Sequence, residues 1–492
     1  MSIITVKNLN FAYDSSDVMI FDDVSFEIDT NWRLGFTGKN GIGKTTFMNI
    51  LLGKLEYSGN IQSLERFSYF PFNVEDTTVF AIDVIREIAD ECEDWQIYKE
   101  IDMLDLNDDI LYQTYDTLSN GEQTKIQLLG LFLKEHNFLL IDEPTNHLDL
   151  ESRDVLANYL KTKNGYILVS HDRHFLDRCV DHILSINNTN IEIIQGNFTS
   201  WWENKQLQDA YEISQNEKLK KDIKRINEAA RRTSNWSDKV EQSKNGTRSS
   251  GSKLDKGFVG HKAAKMMQRS KNLERRQNQM IQDKSELLKN VDTVEDLKIE
   301  SLKFHSNTLL SLRDIAVYYD GKQVCSGINL SMQEGDRVAL RGSNGSGKSS
   351  IVKLIMGEDL KYTGTLEKNQ QRTISHVSQD SSEVKGTFDE YVFEHKVDKT
   401  QFFTLLRKLG FARSVFETQL DALSMGQKKK VMIARSLCQP AHLYIWDEPL
   451  NYIDILTRMQ IEDLILNFKP NLIFVEHDYE FTKHVATKII EF

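Results

Sequence analysis

The sequence predicts an α/β protein in which two copies of one domain are joined by an α-helical hairpin arm. Three observations carry that prediction. Four separate segments recur at a nearly constant offset. Each copy alternates short apolar runs with helical stretches. Between the copies lie proline-free residues of helical composition, 203–300.

The repeat decides the organisation. GKNGIGKTT at 38–46 returns as GSNGSGKSS at 342–350, and LSNGEQTK at 118–125 as LSMGQKKK at 423–430. FLLIDEPTNHLD at 138–149 returns as LYIWDEPLNYID at 443–454, and ILVSHD at 167–172 as IFVEHD at 473–478. The offsets from Gly38, Ser119, Asp142 and His171 are 304, 305, 305 and 306 residues. One domain therefore spans 1–202 and its copy 301–492. Within each, runs such as Phe138 to Ile141 and Ile167 to Val169 have the continuous apolar character of buried parallel strands.

The connecting segment 203–300 has helical composition on both flanks, NKQLQDAYEISQNEKLKKDIKRINEAARR outward and HKAAKMMQRSKNLERRQNQMIQDKSELLKN returning. Between them SKNGTRSSGSKLDKGFVG has turn chemistry, which places an extended tip at about 236–268. A 30-residue helix rises roughly 45 Å, far more than joining two domains requires. The segment is also the basic part of an acidic chain. Residues 218–277 hold 18 Lys+Arg against 6 Asp+Glu in a protein of net charge −12. A basic island on an acidic body points to a polyanion met by one element; a solvated charged helix pair is the plainer alternative.

Composition excludes other classes. No apolar run approaches the roughly 18–20 residues of a membrane-spanning helix. The opening MSIITVKNLNFAY lacks a secretory pattern. Cys92, Cys179, Cys325 and Cys438 are far apart without CxxC spacing, so reduced thiols in the cytoplasm are expected, with neither a disulfide framework nor a zinc site.

The chemistry lies in the repeats. GxxxxGK[ST] is met by Gly38, Gly43, Lys44 and Thr45, with Asn40, Gly41 and Thr46 in the same loop. It is met again by Gly342, Gly347, Lys348 and Ser349, with Asn344, Gly345 and Ser350. Glycines let backbone N–H groups wrap phosphate oxygens, the lysine reaches the β and γ phosphates, and the hydroxyl of Thr45 or Ser349 ligates Mg²⁺. Asp142 and Asp447 end apolar strands, where a carboxylate holds Mg²⁺ through water. Glu143 and Glu448 follow as candidate general bases. His171 and His477 each follow an apolar strand, placed to contact the γ phosphate and orient water.

LSNGEQ and LSMGQ resemble the signature motif of ATP-binding-cassette domains. That resemblance implies head-to-tail closure, with Ser424 and Gly426 capping ATP on the first phosphate loop and Ser119 and Gly121 capping ATP on the second. It also implies that Tyr13 and Tyr319 stack on adenine and that Gln379, in ISHVSQD, is a glutamine-loop ligand of Mg²⁺. The first copy departs here: FSYFPFNVED puts Phe72 at the glutamine position, so its site is expected to hydrolyse differently or more slowly. DEPLNYID also departs from DEPTNHLD at Leu450 and Tyr452, while Asp149 and Asp454 are both present.

Tandem cassettes, a long charged arm and DEPTNHLD resemble the ABC-F class, which acts on ribosomes. FAYD, DTNWRLGFTGKNGIGKTT, QGNF at 195–198 and GHKAAKMMQRSK resemble its Lsa-type antibiotic-resistance proteins. The resemblance implies an ATPase bound at the E site of the bacterial 70S ribosome. Its arm would pass the P-site tRNA toward the peptidyl-transferase centre and displace lincosamides, streptogramin A and pleuromutilins. The arm lysines and arginines suit rRNA or tRNA phosphates, and Lys253, Leu254, Lys256, Phe258, His261, Lys262 and Lys265 are the candidate tip, against 23S rRNA or the drug site. A monomer with intramolecular cassette pairing is expected. The alternatives are a housekeeping ABC-F translation factor and, at greater distance, a transporter's ATPase subunit, which the basic arm does not fit.

Overall fold

The computed structural model describes residues 2–13, 19–146, 148–187, 190–242, 275, 302, 308–319, 322–343, 345–368 and 372–492. Two compact units divide the chain: Met1–Trp201 with Glu295–Phe492, and Trp202–Val294. Both cassettes thus belong to one unit.

In the first cassette, β1 (Ile3–Ala12), β2 (Met19–Asp29), β3 (Arg33–Thr37), β4 (Ser58–Gln62), β5 (Arg66–Phe70), β6 (Asn137–Asp142), β7 (Tyr166–Val169), β8 (His182–Asn187) and β9 (Asn190–Gln195) form two sheets. An antiparallel sheet has the order β2-β1-β4; the other has the order β5-β6-β7-β3-β8-β9 and is parallel except for its last pair. The second cassette repeats the plan with β10 (Thr308–Tyr319), β11 (Lys322–Gln333), β12 (Arg337–Arg341), β13 (Lys361–Lys368), β14 (Ile374–Val377), β15 (Leu443–Asp447), β16 (Leu472–Val475) and β17 (Lys488–Glu491). Its sheets run β11-β10-β13 and β14-β15-β16-β12-β17.

Every residue of β7, β15 and β16 is buried, as expected for strands covered on both faces. Phe47, Met48 and Ile50 of the helix Lys44–Leu51 pack with Leu34, Phe36, Leu140 and Ile167 beneath the first phosphate loop. Ile351, Val352 and Ile355 do the same beneath the second. Parallel order brings the C-terminal ends of β3, β6 and β7, and of β12, β15 and β16, to one edge. That edge is where loops of an open α/β sheet bind ligands.

The helix Phe198–Gln242 starts five positions before the expected arm boundary at 203. Phe198 and Trp201 are buried against each other, with ring centroids 5.4 Å apart, and the Thr199 amide donates to Asp177. At 1.5 Å per residue its 45 residues extend about 68 Å. Except for Arg275, the returning flank lies outside the described residues, and so does the whole candidate tip from Lys253 to Lys265.

Candidate functional site

The loop after β3 turns through Gly43 at φ 112°, and the loop after β12 through Gly347 at φ 98°. A Cβ at Gly43 would stand 2.6 Å from the Ile20 side chain, so both conformation and space demand glycine there. The lysine after each glycine folds back over its own loop. Lys44 Nζ donates to the carbonyls of Gly38 (2.6 Å) and Lys39 (3.1 Å), and Lys348 Nζ to those of Gly342 (2.9 Å) and Ser343 (2.8 Å). Burial pulls both ammonium groups below their ordinary range, opposed by the carboxylates nearby, so an added anion beside either lysine would favour its charged form.

The signature serines have a second task that local sequence explains. Ser119 caps the helix Asn120–Leu133: its hydroxyl accepts from the Glu122 amide, and the Glu122 carboxylate accepts from the Ser119 amide at 2.8 Å. Ser424 and Gln427 form the same reciprocal cap on Met425–Cys438. Each cap presents a helix N-terminus, with its partial positive charge, toward the phosphate loop of the other cassette.

Two cavities form this way. The first, about 850 Å³, is lined by Tyr13, Asn40, Gly41, Gly43, Lys44, Thr45, Thr46, Glu143 and His171 of one cassette and by Ser424 and Gly426 of the other. The second, about 690 Å³, brings Gly345, Gly347, Lys348, Ser349, Ser350, Gln379, Glu448 and His477 to Ser119 and Gly121. Side chains of the first cassette bonded to carbonyls of the second close the seam. Asn40 Nδ2 donates to the Tyr452 carbonyl at 2.9 Å, and Arg153 Nη1 donates to the His477 carbonyl at 3.0 Å.

Glu143 and Glu448 both occupy the left-handed backbone region, at φ 51° and 47°, strain that recurs at functional sites. Their surroundings differ. Burial, with Asp142 beside it, pushes the Glu143 carboxyl up to about 8. Its Oε2 accepts from the His171 amide at 3.3 Å, and its buried Oε1 has no hydrogen-bond partner. Burial, then Lys44 and Arg458, hold His171 well below the ordinary histidine range, hence neutral. Glu448 instead accepts from Gln379 Nε2 at 3.0 Å and Asn451 Nδ2 at 2.7 Å. Burial opposes its ionisation, but His477, Lys429 and Gln379 outweigh it and hold the carboxyl below its ordinary range.

The Mg²⁺ candidates are likewise unequal. Asp142 Oδ2 accepts from the Tyr69 hydroxyl at 2.9 Å. Burial and the adjacent carboxylate push that phenol up, so it remains a donor. Asp447 is bonded by the Ser349 hydroxyl, and its buried Oδ1 has no partner. A hydroxyl beside a carboxylate with an orphaned buried oxygen is the hard-oxygen donor set that fits Mg²⁺.

Tyr13 lines the first cavity, while other expected residues are not found at the second. The Tyr13 hydroxyl bonds that of Thr46 at 2.9 Å, and its ring stands edge-on to Phe11. Tyr319 ends β10 and does not line the second cavity; Asn344 lies outside the described residues. Phe72 offers no side-chain donor, and its backbone amide donates to Gln127 Oε1. Several residues were not foreseen. Asn451 and Arg153 lie within or just after repeated motifs and were open to comparison of the copies. Phe411, Ala412 and Val415 reach the first cavity from a separate turn, and no sequence signal marks them.

Comparison with known proteins follows the same lines. A family model described as ABC transporter matches residues 21–146 and 325–451. The ribosome protection protein VmlR of Bacillus subtilis (strain 168) is 26% identical over 99% of this chain and 86% of its own length. ABC transporter F family member 2 of Arabidopsis thaliana is 23% identical over 99% of this chain and 76% of its own. Among solved structures, the complex of archaeal ribosomal stalk protein aP1 with archaeal ribosome recycling factor aABCE1 matches with TM-score 0.63 at 17% identity, covering 98% of this chain and 87% of that one. That likeness speaks for the fold.

Proposed function

We propose, from the premise that this chain belongs to the ABC transporter family and carries its ATP-hydrolysing domain twice, that cassette closure acts on a ribosome. The resemblance to the ABC-F class agrees with relatives that run the length of the chain, among them a ribosome protection protein and an F family member. One observation carries the partner: tandem cassettes joined through a segment of 18 Lys+Arg and 6 Asp+Glu over residues 218–277. Such a charge excess suits a phosphate backbone. Among the described residues no helix is long and apolar enough to cross a membrane.

In this reading ATP lies between each phosphate loop and the opposite signature helix. Lys44 and Lys348 exchange their loop carbonyls for phosphate oxygens, and Ser119 and Ser424 close over the γ phosphate. Glu448, whose carboxyl is held below its ordinary range, accepts a proton from the attacking water, and Glu143 does so once its raised carboxyl has ionised; His171 and His477 help to orient that water. Thr45 with Asp142, and Ser349 with Asp447 and Gln379, would hold Mg²⁺. When bound, that ion neutralises charge on the β and γ oxygens.

The finer reading is ribosome protection in the cytoplasm. The ATP-bound monomer occupies the E site of the bacterial 70S ribosome. Its arm lies along P-site tRNA, and the tip around Leu254 and Phe258 meets 23S rRNA near the peptidyl-transferase centre. A bound lincosamide, streptogramin A or pleuromutilin is thereby displaced.

The test is a chain carrying Glu143→Gln and Glu448→Gln. It should bind ATP without hydrolysing it and pellet with ribosomes; no enrichment with ATP overturns the ribosomal reading. In a drug-sensitive host, Leu254→Ala with Phe258→Ala should abolish protection while ATPase activity persists. Unchanged susceptibility with and without the wild-type chain favours a housekeeping translation factor instead.

A further inference from the structure

We infer that Tyr69 is a positioning residue of the first ATP site, where its hydroxyl aims Asp142 at the metal position. Tyr69 lies on β5, paired in register with Leu140 of β6, and Asp142 ends β6 two residues further on. The ring is partly buried against the first-cassette core, and Lys54 Nζ stands over it, 5.5 Å from the centroid. With the ring held, the hydroxyl meets Asp142 Oδ2 at 2.9 Å and engages one of the two carboxylate oxygens.

The second cassette shows what this contact replaces. Aligning FSYFPF with ISHVSQ puts His376 at the place of Tyr69 and Gln379 at that of Phe72. His376 Nε2 is buried without a hydrogen-bond partner, and Asp447 takes its bond from Ser349. Gln379 and Asn451 then hold the base Glu448. The first cassette reverses this order. Its metal-side carboxylate is held by a phenol, and no carboxamide bonds Glu143 among the described residues. A bond from a fixed donor sets the rotamer of a carboxylate ligand, and losing such a partner typically costs roughly 10–100-fold in metal affinity.

The test isolates the first site. In a full chain carrying Lys348→Ala, Mn²⁺ affinity in the presence of ATP is read by electron paramagnetic resonance, and affinity for a fluorescent ATP analogue is read in EDTA. Tyr69→Phe should weaken Mn²⁺ binding by about tenfold and leave nucleotide affinity in EDTA unchanged. His376→Phe in a Lys44→Ala chain should leave Mn²⁺ binding at the second site unchanged. Asp142→Asn closes a cycle. Its loss with Tyr69→Phe should not exceed its loss alone, because both remove one interaction. Mn²⁺ affinity within twofold of the parent overturns the inference. So does equal weakening of nucleotide with and without metal, and so do additive losses in the cycle.

Discussion

Arg173 of the first cassette and Glu462 of the second form an ion pair across the seam, with Nη2 and Oε2 2.6 Å apart and side chains 10% and 8% exposed. Glu462 also meets His484 Nδ1 at 2.6 Å. The repeat does not foretell this pair, because the residue copied from Arg173 is Tyr479 and the one copied from Glu462 is Ala157. Breaking a buried pair from one side strands a charge, at a cost of roughly 3–5 kcal/mol. Glu462→Ala should therefore lower the denaturation midpoint strongly. Arg173→Met with Glu462→Leu should recover most of the loss, and a double cycle in urea measures the coupling.

Gly426 leaves no room for a side chain at the first seam. A Cβ there would lie 2.4 Å from the Tyr452 carbonyl oxygen and 3.3 Å from Asn40 Nδ2, whereas at Gly121 it would meet only the Leu148 methyl, at 3.1 Å. Backbone cannot yield as a leucine methyl can. Gly426→Ala should slow ATP hydrolysis by about 100-fold, the usual cost of an ångström of misplacement, and Gly121→Ala by much less. Steady-state ATPase assays on both variants decide this.

The two candidate bases are held differently, so their supports should matter unequally. In a Glu143→Gln chain, which reports the second site, Gln379→Ala should lower hydrolysis about 10–100-fold, because Glu448 loses one of its two carboxamide donors. In a Glu448→Gln chain, which reports the first, Phe72→Ala should change hydrolysis less than about twofold, the range of a change without lost contacts. Single-turnover measurements separate the two sites.

Glu476 is a buried carboxyl that the first copy lacks. Thr145 and Ser170, hydroxyls 3.2 Å apart, occupy the places of Leu450 and Glu476. Glu476 accepts from the amides of Leu450 (2.7 Å) and His477 (3.2 Å). Burial dominates over the attraction of Arg458 and pushes the carboxyl from 4.5 up to about 7. Between those values the folded chain keeps a proton that the unfolded chain releases, so its contribution to stability is lost as pH rises through the window. Glu476→Gln removes the charge and keeps one of the two acceptor oxygens. Its melting temperature relative to that of the parent should rise between pH 5 and pH 8, by the equivalent of at most roughly 3 kcal/mol. A difference that does not change with pH would contradict the assignment.

Much of the fold and site was legible because duplication removes ambiguity. Residues that touch phosphate are constrained in type and spacing, so Gly38, Asn40, Gly41, Gly43, Lys44, Asp142, Glu143 and His171 stand out once the same letters return about 305 positions later. The departures carry information for the same reason: Phe72 against Gln379 marked the sites as unequal before any geometry. Position-by-position comparison of the copies stops where one copy acquires a contact by itself. Tyr69 reads as an apolar strand residue, and Arg173 and Glu462 as surface charges.

The sequence by itself determined the local chemistry: two phosphate loops, two capped signature helices, two strand-end carboxylate pairs and a basic connecting segment. These follow from backbone conformation, helix capping and hydrophobic period, all set by residues close in the chain. Only the tertiary structure decided which further groups, beyond the signature residues, meet across the seam and which support each site. Tyr69 reaches Asp142 over 73 residues, Arg173 reaches Glu462 over 289, and the Asn40 amide reaches the Tyr452 carbonyl over 412. Such contacts depend on how sheets stack and cassettes abut, which is a sum of many weak packing terms that no short motif records.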